Sequence, residues 1–129
     1  YSQGCLITGR ALEEVSILIE DKDLLNKISY TTFANPSNQL LLPKQITVEH
    51  FINKDDIIAN IGIIEHRKDI IGKKYYQDKS GHLLIADYLI PLSLNYFDNE
   101  SIFYKKYLNK KKVNEIKKDL SEIYFNLRN

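Results

Sequence analysis

Three consecutive residues, Glu65, His66 and Arg67, have the side-chain types that metal-independent cleavage of RNA requires. In that chemistry a base deprotonates the 2′-hydroxyl, an acid protonates the leaving group, and a cation stabilises the phosphorane. These residue types are common, and the solvated end of a strand accounts for the same cluster. The trio therefore indicates a small toxin-like ribonuclease as an alternative function rather than the first choice.

One acid, Asp87, lies inside the apolar run 83–90. A carboxylate among apolar side chains loses hydration energy unless it is paired. If residues 73–77 and 82–90 form a hairpin that folds about Lys79-Ser80-Gly81, Lys73 lies opposite Asp87. The two residues then predict either a cross-strand ion pair or a ligand-binding site made of Asp87 and Lys73.

A basic stretch near the C-terminus could contact nucleic acid. Its lysines would meet phosphates, while Tyr104 and Tyr107 could stack on bases. A solvated helix face is the alternative interpretation, because acids follow closely in the sequence. The lysines concerned are Lys105, Lys106, Lys110, Lys111 and Lys112.

The remaining histidines and the single cysteine give no metal-binding pattern. No pair of histidines has the spacing of metal ligands, and Cys5 is remote from them in sequence. We interpret His50 as a hydrogen-bonded core residue and His82 as an exposed residue beside a turn. The sequence therefore predicts no metal site and no cofactor.

Complete motifs of nucleophilic catalysis are absent from the 129 residues. The sequence contains neither G-x-S-x-G nor a paired Cys-His motif, and no Gly-rich phosphate loop. We therefore expect a non-enzymatic binding or interaction domain, an adaptor or immunity-type protein that acts through a protein partner. The abundance of Ile, Lys, Asn and Tyr suggests a bacterial or phage protein from an AT-rich genome.

Length and composition are those of one ordinary globular domain. The chain has 129 residues, 43% of them hydrophobic and 27% charged, with a formal net charge of +1. No apolar run reaches the roughly 18 residues of a membrane span, and no signal peptide is visible, so we expect a cytoplasmic protein. Because the sequence begins with Tyr1 and contains no Met, we expect a fragment or processed part of a longer chain.

Hydrophobic periodicity predicts a helical N-terminal segment, a strand-rich middle and a C-terminal helix. Residues 11–20 carry apolar positions on one helical face, whereas 46–52 alternate and 57–64 are rich in β-branched residues. A helix over 47–61 is the alternative for the middle. An apolar stripe over 113–127 predicts an amphipathic helix, preceded by a short helical piece near Ser101 with Asp98 or Asn99 as its cap.

These elements predict one α+β domain over residues 1–129. It consists of the N-terminal helical segment, a four- to five-stranded antiparallel meander sheet, and the C-terminal amphipathic helix packed on that sheet. The predicted hairpin at 73–90 makes consecutive strands antiparallel.

The hairpin region also resembles the last strands of the chorismate lyase/UTRA superfamily. The matching features are a basic-aromatic strand at 71–75, the small turn Ser80-Gly81, and an apolar strand at 83–88 that carries Asp87. The acid is Asp here and Glu in the lyases. The resemblance implies an antiparallel sheet with helices and a small carboxylate-bearing ligand bound near Asp87.

Overall fold

The computed structural model describes residues 1–61, 69–78, 80–93 and 101–107. The helices are α1 (Gln3–Leu18), α2 (Lys22–Leu25), α3 (Ile90–Ser93) and α4 (Ile102–Tyr107), and a π-helical segment spans Leu84–Leu89. The strands are β1 (Ser29–Phe33), β2 (Gln39–Leu40), β3 (Thr47–Asn53), β4 (Asp69–Ile70) and β5 (Lys73–Gln77). The predicted C-terminal helix at 113–127 lies outside these ranges.

The main sheet is parallel. β3 lies between β1 and β5, and both pairings are parallel, with Ser29 opposite Thr47 and Glu49 opposite Lys73. β2 and β4 form a separate parallel pair. The predicted four- to five-stranded antiparallel meander is therefore wrong. Alternation of inward and outward side chains is the same in parallel and antiparallel strands, so the pattern carried no information on strand direction.

The second arm of the predicted hairpin is helical rather than extended. Leu84, Tyr88 and Leu92 recur at a spacing of four and pack in one core cluster, which is the repeat of a helical face. Gly81 does have a positive φ of 115°, but the chain beyond it enters the π-helical segment. Without an antiparallel hairpin, the resemblance to the chorismate lyase/UTRA strands loses its structural basis.

Both faces of the central strand are buried. On one face the rings of Phe33, Phe51 and Tyr75 stack across the three strands, with centroids 5.1 and 5.0 Å apart, and α4 and the π-helical segment contribute side chains to this cluster. On the other face Val48 belongs to a second cluster, against which Leu12 of α1 packs. The sheet is thus covered on both sides, as parallel strands require.

Other predicted boundaries also shift. The N-terminal helix starts earlier than expected, at Gln3, and residues 54–61 form turns where the strand 57–64 was predicted to begin. Helix α4 is preceded by Ser101, whose hydroxyl accepts the Tyr104 N–H at 3.1 Å, so Ser101 caps this helix. The predicted caps at 98–99 lie outside the described residues.

Across the described ranges, no helix combines the length and apolar character needed to cross a membrane.

Candidate active site

Ser2 immediately precedes α1 in a strained backbone conformation, with φ 53° and ψ −131°. Such conformations cost about 1–3 kcal/mol in non-glycine residues and concentrate at functional sites. The Ser2 N–H donates to the Phe33 carbonyl at 3.0 Å, which holds Ser2 at the carboxyl end of β1. A serine in this position usually caps its helix, but the Ser2 side chain makes no capping bond. Its hydroxyl has a different partner.

That partner is His82, in the loop that follows β5. Ser2 Oγ lies 2.8 Å from His82 Nε2, and His82 Nδ1 lies 2.9 Å from Oδ2 and 3.0 Å from Oδ1 of Asp56. Because an ionised carboxylate only accepts, the proton belongs on Nδ1, and Nε2 then accepts from the Ser2 hydroxyl. The His82 side chain is 31% exposed, so it is half-buried rather than the exposed turn residue that the sequence suggested.

Asp56, just after β3, is the buried end of this chain of contacts. Its Oδ1 accepts the backbone N–H groups of Ile58 at 2.9 Å and Ala59 at 3.1 Å, and its Oδ2 accepts the Tyr88 hydroxyl at 2.5 Å. A carboxylate that is removed from water needs such donors. Burial, followed by the hydrogen bond to Asp56, raises the pKa of the Tyr88 phenol, which keeps it a donor.

The three residues lie at the same edge of the sheet. Ser2 is bonded to the end of β1, Asp56 follows β3, and His82 follows β5. Because the strands are parallel, their carboxyl ends meet at one edge, where sites of parallel sheets form. An antiparallel meander would not bring these strand ends together, so the sequence prediction could not place the three residues at one site.

Both neighbours of His82 are held in place. The Asn53 side-chain amide donates to the carbonyls of Gly81 at 3.1 Å and Asp87 at 3.0 Å, and the Asp87 carboxylate accepts the Leu83 N–H at 2.7 Å. A Cβ on Gly81 would lie 2.4 Å from Cγ of Asp87, and the φ of 115° also requires glycine. Asp87 thus fixes the backbone that carries the imidazole.

Lys73 and Asp87, the predicted ligand-binding pair, each contact other groups. Lys73 opens β5 and places its Nζ 5.1 Å from the centre of the Tyr75 ring, while Asp87 bonds within its own segment. The cross-strand pair depended on a hairpin that does not form. A ligand-binding role for Asp87 and Lys73 stays a prediction.

The other predicted site residues are described only in part. Lys105 and Lys106 are exposed on α4, and their contact with nucleic acid stays a prediction. The lysines at 110–112 and the ribonuclease trio at 65–67 lie outside the described residues.

His50 is buried and hydrogen-bonded through both ring nitrogens. Thr32 Oγ1 donates to its Nδ1 at 2.6 Å, and its Nε2–H donates to the Ile71 carbonyl at 2.9 Å.

Sequence reasoning missed Ser2 and Asp56. A usable signal was Tyr1-Ser2-Gln3-Gly4, which matches the last four positions of G-x-S-x-G and leads directly into a helix. The first glycine position of that motif precedes Tyr1, so a search for the whole motif could not find it. Asp56 and His82 carry no local motif of their own, because they meet only in the folded chain.

In the described part of the chain, no group of three or more His, Cys, Asp and Glu side chains could hold a metal ion. A scan against protein-family models, a search of curated proteins and a search of solved structures each found no match to this chain.

Proposed function

We propose that the protein is a serine hydrolase that cleaves carboxylic esters or thioesters through an acyl-Ser2 intermediate. The observation that carries the proposal is the unbroken line of contacts from Ser2 Oγ to His82, 2.8 Å, and from His82 to Asp56, 2.9 Å. Nucleophile, base and orienting acid are recognised by this geometry rather than by position in a sequence. The chain order serine, aspartate, histidine on a parallel sheet is also that of α/β-hydrolases, which adds an analogy.

In this mechanism His82 takes up and gives back one proton in each half of the reaction. Nε2 takes the hydroxyl proton as Ser2 Oγ forms a bond to the acyl carbon, and Asp56 stabilises the imidazolium through Nδ1–H. Nε2–H then gives that proton to the departing alcohol or thiol, and the acyl group stays on Ser2. Water, deprotonated by the same nitrogen, then attacks the acyl group, and Nε2–H returns this proton to Ser2 Oγ as the acyl–oxygen bond breaks and the acid is released.

The start of α1 supplies a donor for the negative oxygen of the tetrahedral intermediate. Among the described residues, the Gln3 N–H forms no hydrogen bond, whereas the next two N–H groups bond to Tyr1 and Ser2 carbonyls. The N–H that follows the nucleophile is an oxyanion donor in strand-turn-helix sites. The positive end of the helix dipole lies at the same place.

Exposed apolar side chains follow two of the three residues in sequence. Ile57, next to Asp56, is 80% exposed, and Leu83, next to His82, is 65% exposed. Ligand sites are mainly apolar, with few polar groups at the reacting centre. These neighbours support an ester with an apolar acyl group over a charged or sugar substrate.

The test measures turnover and covalent labelling of one serine. We expect the purified chain to hydrolyse p-nitrophenyl butanoate and to be labelled by a fluorophosphonate probe. Ser2→Ala should lower kcat/KM on the order of 10³-fold and abolish labelling, because no nucleophile is left.

Ser29→Ala is the matched control, since Ser29 is exposed at the opposite, amino end of β1 and should keep full activity. Persistent labelling of Ser2→Ala, or a folded wild-type chain that neither turns over nor labels, would contradict the proposal.

An interaction with a protein partner is the second candidate function. Five large apolar side chains of α1 are exposed, and we infer that some of them form an interaction surface: Leu6, Ile7, Val15, Ile17 and Leu18. The test is a pull-down with wild type and with the double variant Ile7→Ser/Ile17→Ser. A protein captured by the wild type and lost with the variant supports this candidate, and equal capture rejects α1 as its surface.

A further inference from the structure

Tyr88 is the buried residue that contacts the proposed triad from behind. It lies in the π-helical segment, is fully buried, and its hydroxyl donates to Asp56 Oδ2 at 2.5 Å while accepting the Asn53 N–H at 3.3 Å. The same oxygen of Asp56 faces His82 Nδ1 at 2.9 Å. The Tyr88 hydroxyl thus meets the proposed triad at Asp56, and the Tyr88 ring also lies 6.4 Å from the Tyr1 ring.

We propose that Tyr88 is a positioning residue that sets the basicity of His82 through the Asp56 carboxylate. The inference rests on the hydrolase function proposed above. A hydrogen bond to a charged group is short and strong, and it draws negative charge toward the donor. With Tyr88 on Oδ2, less negative charge faces the imidazole than an Asp56 carboxylate without this donor would present. The bond also fixes the plane of the carboxylate that orients the imidazole.

The groups around His82 define the electrostatic setting. Asp56 faces Nδ1 from the loop after β3, and the Tyr1 ring lies 5.1 Å from the imidazole, with its hydroxyl donating to the His82 carbonyl. Asp87 and Tyr88 belong to the π-helical segment that follows. Of these groups, Tyr88 is a direct hydrogen-bond donor to the oxygen that His82 uses.

A packing role alone gives a different expectation for Tyr88→Phe. The substitution keeps the ring in the aromatic cluster and deletes only the hydroxyl. If the ring merely fills the core, the rate constants change by one factor at every pH. If Tyr88 positions Asp56, the acid limb of the kcat/KM profile moves to higher pH, because the freed carboxylate charge favours the imidazolium. We expect a shift of roughly half a pH unit or more.

The experiment compares pH profiles for p-nitrophenyl butanoate. We expect Tyr88→Phe to lower kcat roughly tenfold, the loss of one hydrogen bond to a charged group, with little change in KM. Tyr75→Phe is the control, because its hydroxyl is also buried but donates to Glu49 at 3.0 Å, away from the triad. An acid limb that is unchanged or moves to lower pH in Tyr88→Phe overturns the inference, whatever happens to the rate.

A second substitution covers the case in which Tyr88→Phe does not fold. Site-specific 3-fluorotyrosine at position 88 makes the phenol a stronger donor at nearly the same size, so the acid limb should move to lower pH. A shift in the other direction, or no shift, overturns the inference. Wild-type turnover that depends on Ser2 is established first in the same assay, so failure of the hydrolase function is seen separately.

Discussion

At the residue scale, Ser2 combines a strained backbone with a hydroxyl that contacts His82 instead of capping its helix. Its φ of 53° and ψ of −131° are held by the bond from its N–H to the Phe33 carbonyl and by the Cys5 N–H, which donates to the Ser2 carbonyl at 2.9 Å. The surrounding bonds keep a conformation that the residue itself disfavours. In this backbone conformation Ser2 Oγ faces His82 instead of the helix N–H groups.

The strained backbone predicts that glycine at position 2 gives a more stable protein than alanine. Ser2→Gly and Ser2→Ala both lose the hydroxyl and should both be inactive. Glycine adopts positive φ at no steric cost, so we expect Ser2→Gly to have a free energy of unfolding about 1 kcal/mol above that of Ser2→Ala. Urea denaturation of the two variants measures the difference. Equal stability, or a less stable glycine variant, would show that the conformation carries no strain.

At the element scale, the central strand connects the sheet to the helices that cover it. Glu49 of β3 is buried, and its carboxylate accepts the hydroxyls of Tyr75 and Ser101 and the first N–H groups of α4, from Ile102 at 2.7 Å and Phe103 at 2.9 Å. A negative side chain is stabilising at a helix N-terminus. One residue therefore joins β3, β5 and α4.

Glu49→Gln tests this junction. The amide group replaces an acceptor oxygen by a donor that faces other donors, so we expect the free energy of unfolding to fall by about 1–3 kcal/mol. Hydrogen exchange of the Ile102 and Phe103 amides should speed up at the same time. Glu14→Gln, at an exposed position of α1, is the matched control and should change little. Unchanged exchange at both amides in Glu49→Gln would rule out the capping role.

At the scale of the whole molecule, buried tyrosines on both faces of the sheet link folding to alkaline pH. Burial is the largest cause that raises the pKa of Tyr30 in one core cluster and of Tyr75 and Tyr88 in the other. Folding thus favours the neutral phenols. Their contribution is complete below the ordinary tyrosine pKa of 10.0 and is lost as pH rises further.

We therefore expect the free energy of unfolding to fall with increasing slope above about pH 10. Tyr30→Phe removes one of the linked protons and should reduce that slope, although it also loses the hydrogen bond from the Tyr30 hydroxyl to the Cys5 carbonyl. Urea denaturation at a series of pH values measures the slope. Tyr76→Phe, at an exposed position, should leave it unchanged, and a wild-type stability constant up to pH 11 would contradict the linkage.

The elements differed in how far the sequence could predict them. The alternation around 46–52 correctly indicated a strand, because each residue of β3 meets a different face from its neighbour. The run at 83–90 was misread, since apolar residues on both sides of a strand and on a helix covering the core give similar local patterns. Asp87 is a carboxylate in an apolar run and therefore needs a hydrogen-bond donor, but that donor is a backbone N–H four residues away and not the Lys73 side chain that the sequence predicted.

What the sequence by itself determined is the local periodicity that makes helix α1 and strands β3 and β5, together with glycine at a position that requires positive φ. Those features depend on neighbours along the chain. The parallel direction of the strands and the meeting of Ser2, Asp56 and His82 were decided only by the tertiary structure. Ser2 and His82 are 80 positions apart and Asp56 and His82 are 26 apart. Contacts over such distances form because strands pair across the sheet, and no local pattern records that pairing.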